Sequence, residues 1–369
     1  LIFIVKIKNN MTVCILGNSL TALTLAKALV KQNVYVDILY NKKNSHISKT
    51  RTIGISKSNT DYFNKYVINI DKLLWKLKKI EIFSDNLHRE KLINFKKDKD
   101  QIFSIVKNCD LYQILESDLS RNTYFKSKFI TYKNLSFIKQ YDLVINCDSS
   151  NIIAKKFFSK KIVKEYNIQA HSTIIAHEKI LNDTAVQIFT NKGPLAFLPV
   201  SNTQTSVVYS ISKNINEKKE NIEKTIKDKN FRYKIKSIEK INTFEIKSLN
   251  LRSYYYDNIL AFGDLLHKVH PLAGQGFNMT IRDIKILLNI IKKKSELGLA
   301  LDKSVNIEFE NKSKYKNLIF SNGVDLIHEF FNIERKTNGK FLSKSVQLIG
   351  RYPPINKIFT KIADKGFLF

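Results

Sequence analysis

A strand, a glycine turn, a helix and a second strand follow one another near the start of the chain. The apolar run 12–16 leads into Gly17, apolar residues at helical spacing cover about 19–31, and a second apolar run covers 34–40. These patterns predict a unit in which two parallel strands are joined by a crossing helix. The chain is therefore expected to adopt an α/β fold, with Gly17 at the start of the first helix.

Length and composition set the scale of this fold. The chain has 369 residues, of which 43% are hydrophobic and 26% charged, with only 5 Pro, so we expect a globular protein with one large or two interleaved domains. Cys14, Cys109 and Cys147 are scattered, and no histidine cluster lies near them. We expect neither disulfides nor a metal site, and a reducing compartment. No apolar run approaches the roughly 20 residues of a membrane-spanning helix.

The formal net charge of +29 suggests nucleic acid or an anionic membrane as a partner. Lysine is spread along the whole chain, without an arginine-rich stripe, which favours a general residue bias. A nucleic-acid-binding protein is an alternative that rests on the charge alone, and a salt-dependent DNA shift would test it. The charge would also hold an enzyme with a lipid substrate at a membrane, each Lys contributing about 1 kcal/mol.

The later parts of the chain alternate between strand and helix patterns. The predicted elements are a buried strand at 141–148, short strands of a mostly antiparallel sheet between about 160 and 248, a strand at 258–262, a helix at about 276–294, and a largely helical tail from 307. No repeat or low-complexity linker separates them, so the second domain is expected to be inserted into the first.

The first glycine turn is a weak match to a dinucleotide-binding turn, which requires glycine at its first, third and sixth positions. Here these positions hold Gly17, Ser19 and Ala22, and Ser19 places a side chain where a phosphate approaches. An acidic residue should end the second strand, but Tyr40 occupies that position and Asp37 lies inside the strand. Any α/β protein could show such a turn, and the adenosine end departs from the pattern.

A second segment, 263–278, is more specific. Asp264 directly follows a strand and can accept hydrogen bonds from ribityl hydroxyls, while Gly274-Gln275-Gly276 lets backbone N–H groups approach a flat ring at a helix start. This environment suits the negative charge of a reduced flavin. A simple helix-capping loop would not explain why the segment specifies Gly263, Asp264, His270, Pro271, Gly274, Gln275, Gly276 and Asn278 together.

The segment closely resembles the GD-x-x-H-x-x-x-P-x-x-GQG-x-N signature of class A flavoprotein hydroxylases, and in detail the ubiquinone-biosynthesis hydroxylases. The likeness extends over nearly the whole chain. Further similar segments are 51–56, where Arg51 would reach the FAD pyrophosphate, 105–115, where Gln113 would face the flavin, 143–148, which ends in Asp148 with Ser149 in place of a glycine, the substrate-sheet strands 187–189 and 193–199, and 324–332 in the tail.

The resemblance implies a Rossmann-like FAD-binding domain of the p-hydroxybenzoate hydroxylase type, an interleaved, mostly antiparallel β-sheet substrate domain and a helical C-terminal tail. The implied ranges are 11–70, 101–160 and 249–306 for the FAD-binding domain, 71–100 and 161–248 for the substrate domain, 307–369 for the tail, and 1–10 for a probable upstream extension.

The resemblance also implies a cofactor site but no metal and no assigned catalytic side chain. The implied cofactor-binding residues are Gly17, Ser19, Ala22, Arg51, Gln113, Asp148, Gly263, Asp264, His270, Pro271, Gly274, Gln275, Gly276 and Asn278. His267 is expected to be structural, and His270 to lie nearer the ring without transferring a proton.

The function implied by the resemblance is hydroxylation of a polyprenylated phenol intermediate of ubiquinone biosynthesis, through a C4a-hydroperoxyflavin formed from FAD, NAD(P)H and O2. A ubiquinone-biosynthesis protein complex and the inner face of the membrane are expected partners of a cytoplasmic protein. One alternative is a family member that has lost catalysis and serves as a structural partner, supported by Ser19, Tyr40 and Ser149. Another is a flavin-dependent prenyl-lipid reductase, against which the segment 193–199 argues.

Overall fold

A computed structural model describes residues 11–337 except 42–49, 86–90, 97–100, 132–135, 216 and 271–273, together with residues 344 and 347. The predicted extension at 1–10 and most of the predicted tail beyond 337 lie outside the described residues.

Eighteen strands and seven helices make up the described part of the chain. The strands are β1 (Thr12–Leu16), β2 (Tyr35–Tyr40), β3 (Thr52–Ser56), β4 (Trp75–Leu77), β5 (Lys79–Ser84), β6 (Lys91–Lys96), β7 (Phe103–Lys107), β8 (Phe125–Phe129), β9 (Leu143–Asn146), β10 (Lys161–His177), β11 (Thr184–Phe189), β12 (Pro194–Pro199), β13 (Gln204–Ser212), β14 (Ile235–Ile238), β15 (Asn242–Leu251), β16 (Tyr255–Tyr256), β17 (Ile259–Ala261) and β18 (His267–Lys268). The helices are α1 (Leu20–Val30), α2 (Lys57–Tyr66), α3 (Asn108–Ser120), α4 (Ile152–Phe157), α5 (Lys219–Lys229), α6 (Gln275–Glu296) and α7 (Lys303–Thr337).

The first sheet has six strands in the order β16-β17-β9-β1-β2-β8. All neighbouring strands are parallel except the edge pair β16–β17. All of β9 and most of β1 are buried, as continuous apolar runs in a parallel sheet require. The predicted strand–turn–helix–strand unit is confirmed in β1, α1 and β2, although the strand predicted at 141–148 is shorter and ends at Asn146.

The second sheet has nine strands, eight of them in the order β18-β15-β10-β13-β12-β11-β5-β6, with β14 paired to β10. Its pairs are antiparallel apart from β11–β5, so the predicted mostly antiparallel sheet is confirmed. Ile222 and Ile226 of α5 join a buried cluster with Val207 and Tyr209 of β13, so this helix covers one face of the sheet.

A third, antiparallel sheet of three strands, β3-β7-β4, lies between the other two and was not predicted. The Thr52 hydroxyl of β3 donates to Ser206 Oγ of β13 at 3.0 Å, which joins this sheet to the second sheet. Elements therefore cross between sheets, since β18, which follows β17 in the chain, belongs to the second sheet. The predicted domain boundaries stay a prediction.

The C-terminal part of the described chain is helical, as predicted. Helices α6 and α7 contact each other, and α7 also contacts β16 and β17. None of the helices in the described ranges combines the length and apolar character that crossing a bilayer would require.

Candidate functional site

Three turns after parallel strands meet at one edge of the first sheet. Because β17, β9 and β1 are neighbours and run parallel, their carboxyl ends share that edge. Gly17 follows β1, Asp148 lies shortly after β9, and Gly263 and Asp264 lie shortly after β17. The fold thus brings together the first glycine turn and two carboxylates that are far apart in the sequence.

Gly17 is required at this edge for two reasons. Its φ is +97°, a value that residues with side chains rarely adopt. A Cβ atom at this position would also lie only 2.9 Å from the Cβ atom of Asp148. The turns after β1 and β9 therefore approach each other through the bare glycine backbone.

Ser19, at the position where a glycine is expected, is the N-cap of α1. Its Oγ accepts a hydrogen bond from the Ala22 N–H at 3.3 Å, and serine is among the preferred residues for this position. The first N–H groups of a helix have no partner within the helix and form a natural site for a phosphate. Ser19 therefore occupies one donor that a pyrophosphate would otherwise contact.

Asp148 and Asp264 differ in their surroundings. The Asp148 carboxylate accepts hydrogen bonds from the Ser150 N–H at 2.8 Å and from the Ser150 hydroxyl at 2.6 Å. Asp264 is exposed although its neighbours Gly263 and Leu265 are buried. Burial raises the pKa of the Cys147 thiol, and the negative charges of Asp264 and Asp148 raise it further, so both carboxylates lie near this residue. Asp264 is thus the carboxylate that is open to a ligand.

Gly263 links this turn to α1. Its φ is +62°, and a Cβ atom there would lie 2.6 Å from the Thr21 Cγ2 atom. Thr21 was not recognised from the sequence, because nothing in its neighbourhood predicts a contact with a turn more than 200 residues away.

The start of α6 presents a nearly bare backbone. Gly274 is the N-cap residue with a φ of +63°, and a Cβ atom on it would lie 3.3 Å from the Gly54 backbone nitrogen. Among the described residues, a Cβ atom on Gly276 would meet nothing closer than Val269, at 4.0 Å. The two glycines therefore place no side chain at this helix start, where the N–H groups and the positive helix end favour an electron-rich group.

Asn278 holds this helix start in place. Its Oδ1 accepts hydrogen bonds from the Ser56 N–H at 3.0 Å and from Asn59 Nδ2 at 2.9 Å. Its Nδ2 donates to the carbonyl oxygens of Gly54 at 3.0 Å and Gly274 at 3.3 Å. The side chain is fully buried, and these contacts use its two amide hydrogens and both acceptor positions. Asn278 therefore positions the turn, and its direct contact with the cofactor stays a prediction.

Arg51 and Gln113 lie on segments that meet. The carbonyl oxygen of Arg51, just before β3, accepts a hydrogen bond from the N–H of Asn108, the first residue of α3, at 3.0 Å. Both Arg51 and Gln113, which lies on α3, are exposed. Because β3 also carries Gly54, which abuts Gly274, the segment that begins at Arg51 helps to support the start of α6. The contact of Arg51 and Gln113 with a cofactor stays a prediction.

The end of β2, where an acidic residue would bind the adenosine ribose, has no free carboxylate among the described residues. The Tyr141 hydroxyl donates to Asp37 Oδ2 at 2.7 Å, so this carboxylate is engaged within the sheet. Tyr40 closes β2, with its ring centroid 5.9 Å from that of Phe129. Residues 42–49, which follow β2, lie outside the described residues.

Two histidines lie in the loop between Asp264 and Gly274. His267 Nε2 lies 2.5 Å from Asp283 Oδ2, and both side chains are buried, which gives His267 a structural role. His270 is 1% exposed, and its ring meets the Tyr166 ring edge-on at a centroid distance of 5.1 Å. Pro271 lies outside the described residues.

This set of groups fits FAD. The N-terminus of α1 and the exposed Arg51 are groups suited to a pyrophosphate, the exposed Asp264 is suited to accept hydrogen bonds from ribityl hydroxyls, and the glycines at the start of α6 add no side chain where a flat ring is expected. The Ala22 N–H is already bonded to Ser19, and the Asp37 carboxylate is already bonded to Tyr141. We therefore expect fewer hydrogen bonds to the adenosine half of FAD than to its flavin half.

Comparisons with known proteins agree with this chemistry. A family described as "FAD binding domain" matches residues 140–294. The chain is 22% identical over 266 residues to the ubiquinone biosynthesis monooxygenase COQ6, mitochondrial, of Danio rerio, covering 60% of this chain and 55% of that protein. It is 27% identical over 160 residues to the 3-demethoxyubiquinol 3-hydroxylase of Escherichia coli, covering 41% of this chain and 40% of that protein. The chain is similar to FAD-dependent hydroxylases, among them the ubiquinone-biosynthesis monooxygenases.

Solved structures show the same fold as this chain. The p-nitrophenol 4-monooxygenase PnpA of Pseudomonas putida DLL-E4 matches with a TM-score of 0.76 at 11% identity, covering 96% of this chain and 99% of that one. HpxO of Klebsiella pneumoniae, complexed with FAD and uric acid, matches with a TM-score of 0.73 at 12% identity, covering 96% and 97%. The predicted fold class is thereby confirmed. The match to an FAD-binding domain supports the predicted cofactor, FAD. The chain spans only about half the length of the curated relatives it matches.

Proposed function

We propose that this protein is an FAD-dependent monooxygenase that hydroxylates the aromatic ring of a polyprenylated phenol intermediate of ubiquinone biosynthesis. In the balanced reaction, the phenol, O2, NAD(P)H and a proton give the hydroxylated phenol, NAD(P)⁺ and water. FAD, when bound, supplies the reduction and activation of O2. The relatives named for ubiquinone biosynthesis support this substrate class.

One observation carries the proposal: the loop that follows Asp264, which we call the flavin loop, contributes a strand to the second sheet. β18, within the loop between Asp264 and α6, pairs with β15, with His267 opposite Asn250 and Lys268 opposite Leu249. The loop expected to lie at the reactive edge of the flavin is therefore continuous with the sheet expected to bind the substrate. Such continuity favours a reaction between a flavin and a molecule lying on that sheet.

The face of the second sheet turned toward β3 suits an apolar aromatic substrate. Ser206, which contacts Thr52 of β3, lies opposite Leu198, and the next pair on the same face is Val208 and Ala196. Leu198, Val208 and Ala196 are half-buried, whereas the alternate residues of these strands are buried toward α5. Leu198 packs beside Leu77 and Ile105 of the third sheet, and Lys107 Nζ donates to Gln204 Oε1 on the same face, so the face is partly covered and has a cation at its border. Its remaining half-buried apolar surface would accept an isoprenoid tail and a phenol ring at little desolvation cost.

The protein's own groups contribute binding, orientation and charge stabilisation. The positive end of α6, held by Asn278, stabilises negative charge at the ring edge that faces it. Asp264 orients the ribityl chain, and the two sheets shield the reacting region from water. No described side chain is assigned a proton-transfer or nucleophilic role.

Turnover with a defined substrate tests the proposal. Purified protein reconstituted with FAD is mixed with NADH or NADPH, O2 and a short-chain prenylated phenol, and nucleotide oxidation and product mass are followed. We expect substrate-stimulated oxidation and a product heavier by one oxygen atom. A protein that binds FAD without turnover would instead be a structural partner, for which the Ser19 cap and the engaged Asp148 and Asp37 are the supporting observations. Saturation of a prenyl chain without O2 consumption would indicate a prenyl-lipid reductase, and failure to bind FAD would remove both enzymatic functions.

Gene deletion complements the assay. The quinone precursor that accumulates in the deletion strain would identify the ring position by the hydroxyl group that it lacks. Accumulation of no precursor in a strain that still makes ubiquinone would contradict the proposed pathway.

We also propose peripheral association with the inner face of an anionic membrane and with other proteins of ubiquinone biosynthesis, in a cytoplasmic setting. The net charge of +29 and the lipid character of the proposed substrate support membrane association. Vesicles containing anionic lipid should carry the protein in flotation at low salt and release it at high salt, whereas neutral vesicles should not bind it.

A further inference from the structure

Three polar residues of α7 contact residues that hold the flavin loop in place. Asn317, Ser321 and Asp325 are spaced by four residues and therefore lie along one side of the helix. Each makes a hydrogen bond to a residue that contacts or pairs with His267 or His270 of this loop. We refer to these three residues as the α7 polar row.

The first two members of the α7 polar row form hydrogen bonds with the two residues that hold or pair with His267. Asn317 Nδ2 donates to Asp283 Oδ1 at 3.0 Å, and the other oxygen of Asp283 holds His267. The Ser321 hydroxyl donates to Asn250 Oδ1 at 3.2 Å, and Asn250 lies opposite His267 in the β15–β18 pair. These contacts fix the first half of the loop from two sides.

The third member, Asp325, acts around His270. The Tyr166 hydroxyl donates to Asp325 Oδ1, and the Tyr166 ring stands edge-on against the buried His270 ring. Burial first, and then the hydrogen bond to Asp325, raise the pKa of the Tyr166 phenol, which therefore remains a donor. Lys164 Nζ lies 4.0 Å from Asp325 Oδ2 and 3.2 Å from Glu329 Oε1, so Asp325 also has a nearby cation.

Apolar side chains seal the same contact between α7 and the loop. Phe320 and Val324 of α7 are buried with Met279 of α6, and Val269, from the loop itself, packs against this cluster. The α7 polar row thus acts on a loop that is already pressed against the helix, where a lost hydrogen bond is not replaced freely by water.

We propose that Asp325 is a positioning residue for the flavin site: through Tyr166 it sets the place of the His270 ring, which is expected to lie near the flavin. The inference rests on the proposed function of the Gly274 turn as the flavin site. Asp325 and Tyr166 are assigned no contact with the cofactor.

Substitutions that break the hydrogen bond but keep the shapes test this role. Tyr166→Phe keeps the ring against His270 and removes only the hydroxyl, and Asp325→Asn keeps the side-chain volume. Glu329→Gln is the matched control, because Glu329 also pairs with Lys164 but lies one turn beyond Asp325. The readouts are the FAD dissociation constant from flavin fluorescence, the visible circular dichroism of bound FAD, and the melting temperature of the FAD-free protein.

We expect Tyr166→Phe and Asp325→Asn each to raise the FAD dissociation constant about 3- to 10-fold, the size of one net hydrogen bond, and to change the visible circular dichroism in the same way. The double variant should show little more than either single change, because both remove the same contact. Glu329→Gln should leave both flavin readouts at the wild-type values. The melting temperature separates these effects from general unfolding, and Tyr166→Phe keeps the test decisive if Asp325→Asn folds poorly.

Unchanged flavin affinity and circular dichroism in folded Tyr166→Phe protein would overturn the positioning role of Asp325 while leaving the proposed function intact. An equal effect of Glu329→Gln would overturn it as well, by showing a general charge effect on α7. Failure of the wild-type protein to bind FAD would overturn the proposed function, and the positioning role with it.

Discussion

At the scale of single residues, the same chemical group serves different purposes according to its partner. Asp37 and Asp264 are both carboxylates of the FAD-binding part, but Asp37 is held by the Tyr141 hydroxyl, whereas Asp264 is exposed at the strand edge. Ser19 occupies a glycine position and turns its oxygen onto α1. Partner geometry, rather than residue type, therefore decides which of these groups can serve a cofactor.

Asp264→Ala is expected to weaken FAD binding far more than Asp37→Ala. Loss of hydrogen bonds between a carboxylate and ribityl hydroxyls should raise the FAD dissociation constant about 10- to 100-fold. Asp37→Ala should change that constant by less than about twofold and mainly lower stability, since it leaves the Tyr141 hydroxyl without its acceptor. Flavin fluorescence titration measures both, and equal effects would show that the cofactor lies elsewhere.

Ser19→Gly is expected to strengthen FAD binding. The change removes the side chain that occupies the Ala22 N–H and costs only a few tenths of a kcal/mol of helix stability, so the dissociation constant should fall about 2- to 10-fold. Ser19→Ala is the control, because it removes the cap but keeps a side chain near the phosphate path. A weaker or unchanged affinity of Ser19→Gly would contradict the obstruction by this side chain.

At the scale of elements, the start of α6 depends on its attachment to β3 and α2. Gly274 and Gly54 allow two backbones to approach closely, and Asn278 bridges the same backbones with its amide. The neighbouring sheet therefore holds the positive end of this helix at the place that we propose for the flavin edge. The α7 polar row supports the loop that leads to this helix in a comparable way.

Asn278→Ala is expected to destabilise the fold as well as the flavin site. The change leaves the buried Ser56 N–H and Gly54 carbonyl without this partner, which should lower the free energy of unfolding by about 2–4 kcal/mol. Urea denaturation measures the loss. Asn289→Ala, at an exposed position of the same helix, should change stability by less than about 0.5 kcal/mol, and a similar loss in both variants would contradict a specific role of Asn278.

At the scale of the whole molecule, the site is assembled from segments that are distant in the sequence. The turns near residues 17, 148 and 264, the strand β3 and the start of α6 come from different parts of the chain. A ligand that contacts all of them binds the folded state only. Cofactor binding and global stability are therefore coupled.

FAD is expected to raise the melting temperature of the protein. At about 100 times its dissociation constant, a ligand of the folded state adds about 2.7 kcal/mol, which corresponds to a rise of several degrees. Differential scanning fluorimetry with increasing FAD measures the rise, and Asp264→Ala should reduce it at equal FAD concentration. ADP, which lacks the flavin half, is the control ligand and should have a smaller effect, whereas an equal effect would place the main anchor at the adenosine end.

Much of the fold could be predicted from local patterns. Apolar runs and helical spacing depend on neighbours in the chain, so β1, α1, β2, the antiparallel strands and α6 were recognisable. The small sheet β3-β7-β4 was missed, because short strands such as Trp75–Leu77 carry too few residues for a period to show. Their existence depends on pairing with distant strands.

The sequence by itself determined the class of fold and predicted the residue types of the flavin site, because spaced glycines, a carboxylate after a strand and a helix start are local features. Only the tertiary structure decided which contacts each residue makes. Gly263 lies against Thr21, the Asn278 amide donates to a carbonyl oxygen of β3, and Asp325 bonds to Tyr166, whose ring contacts His270. These contacts join residues far apart in the chain. Their energies depend on distance and burial, and both exist only once the sheets and helices have packed.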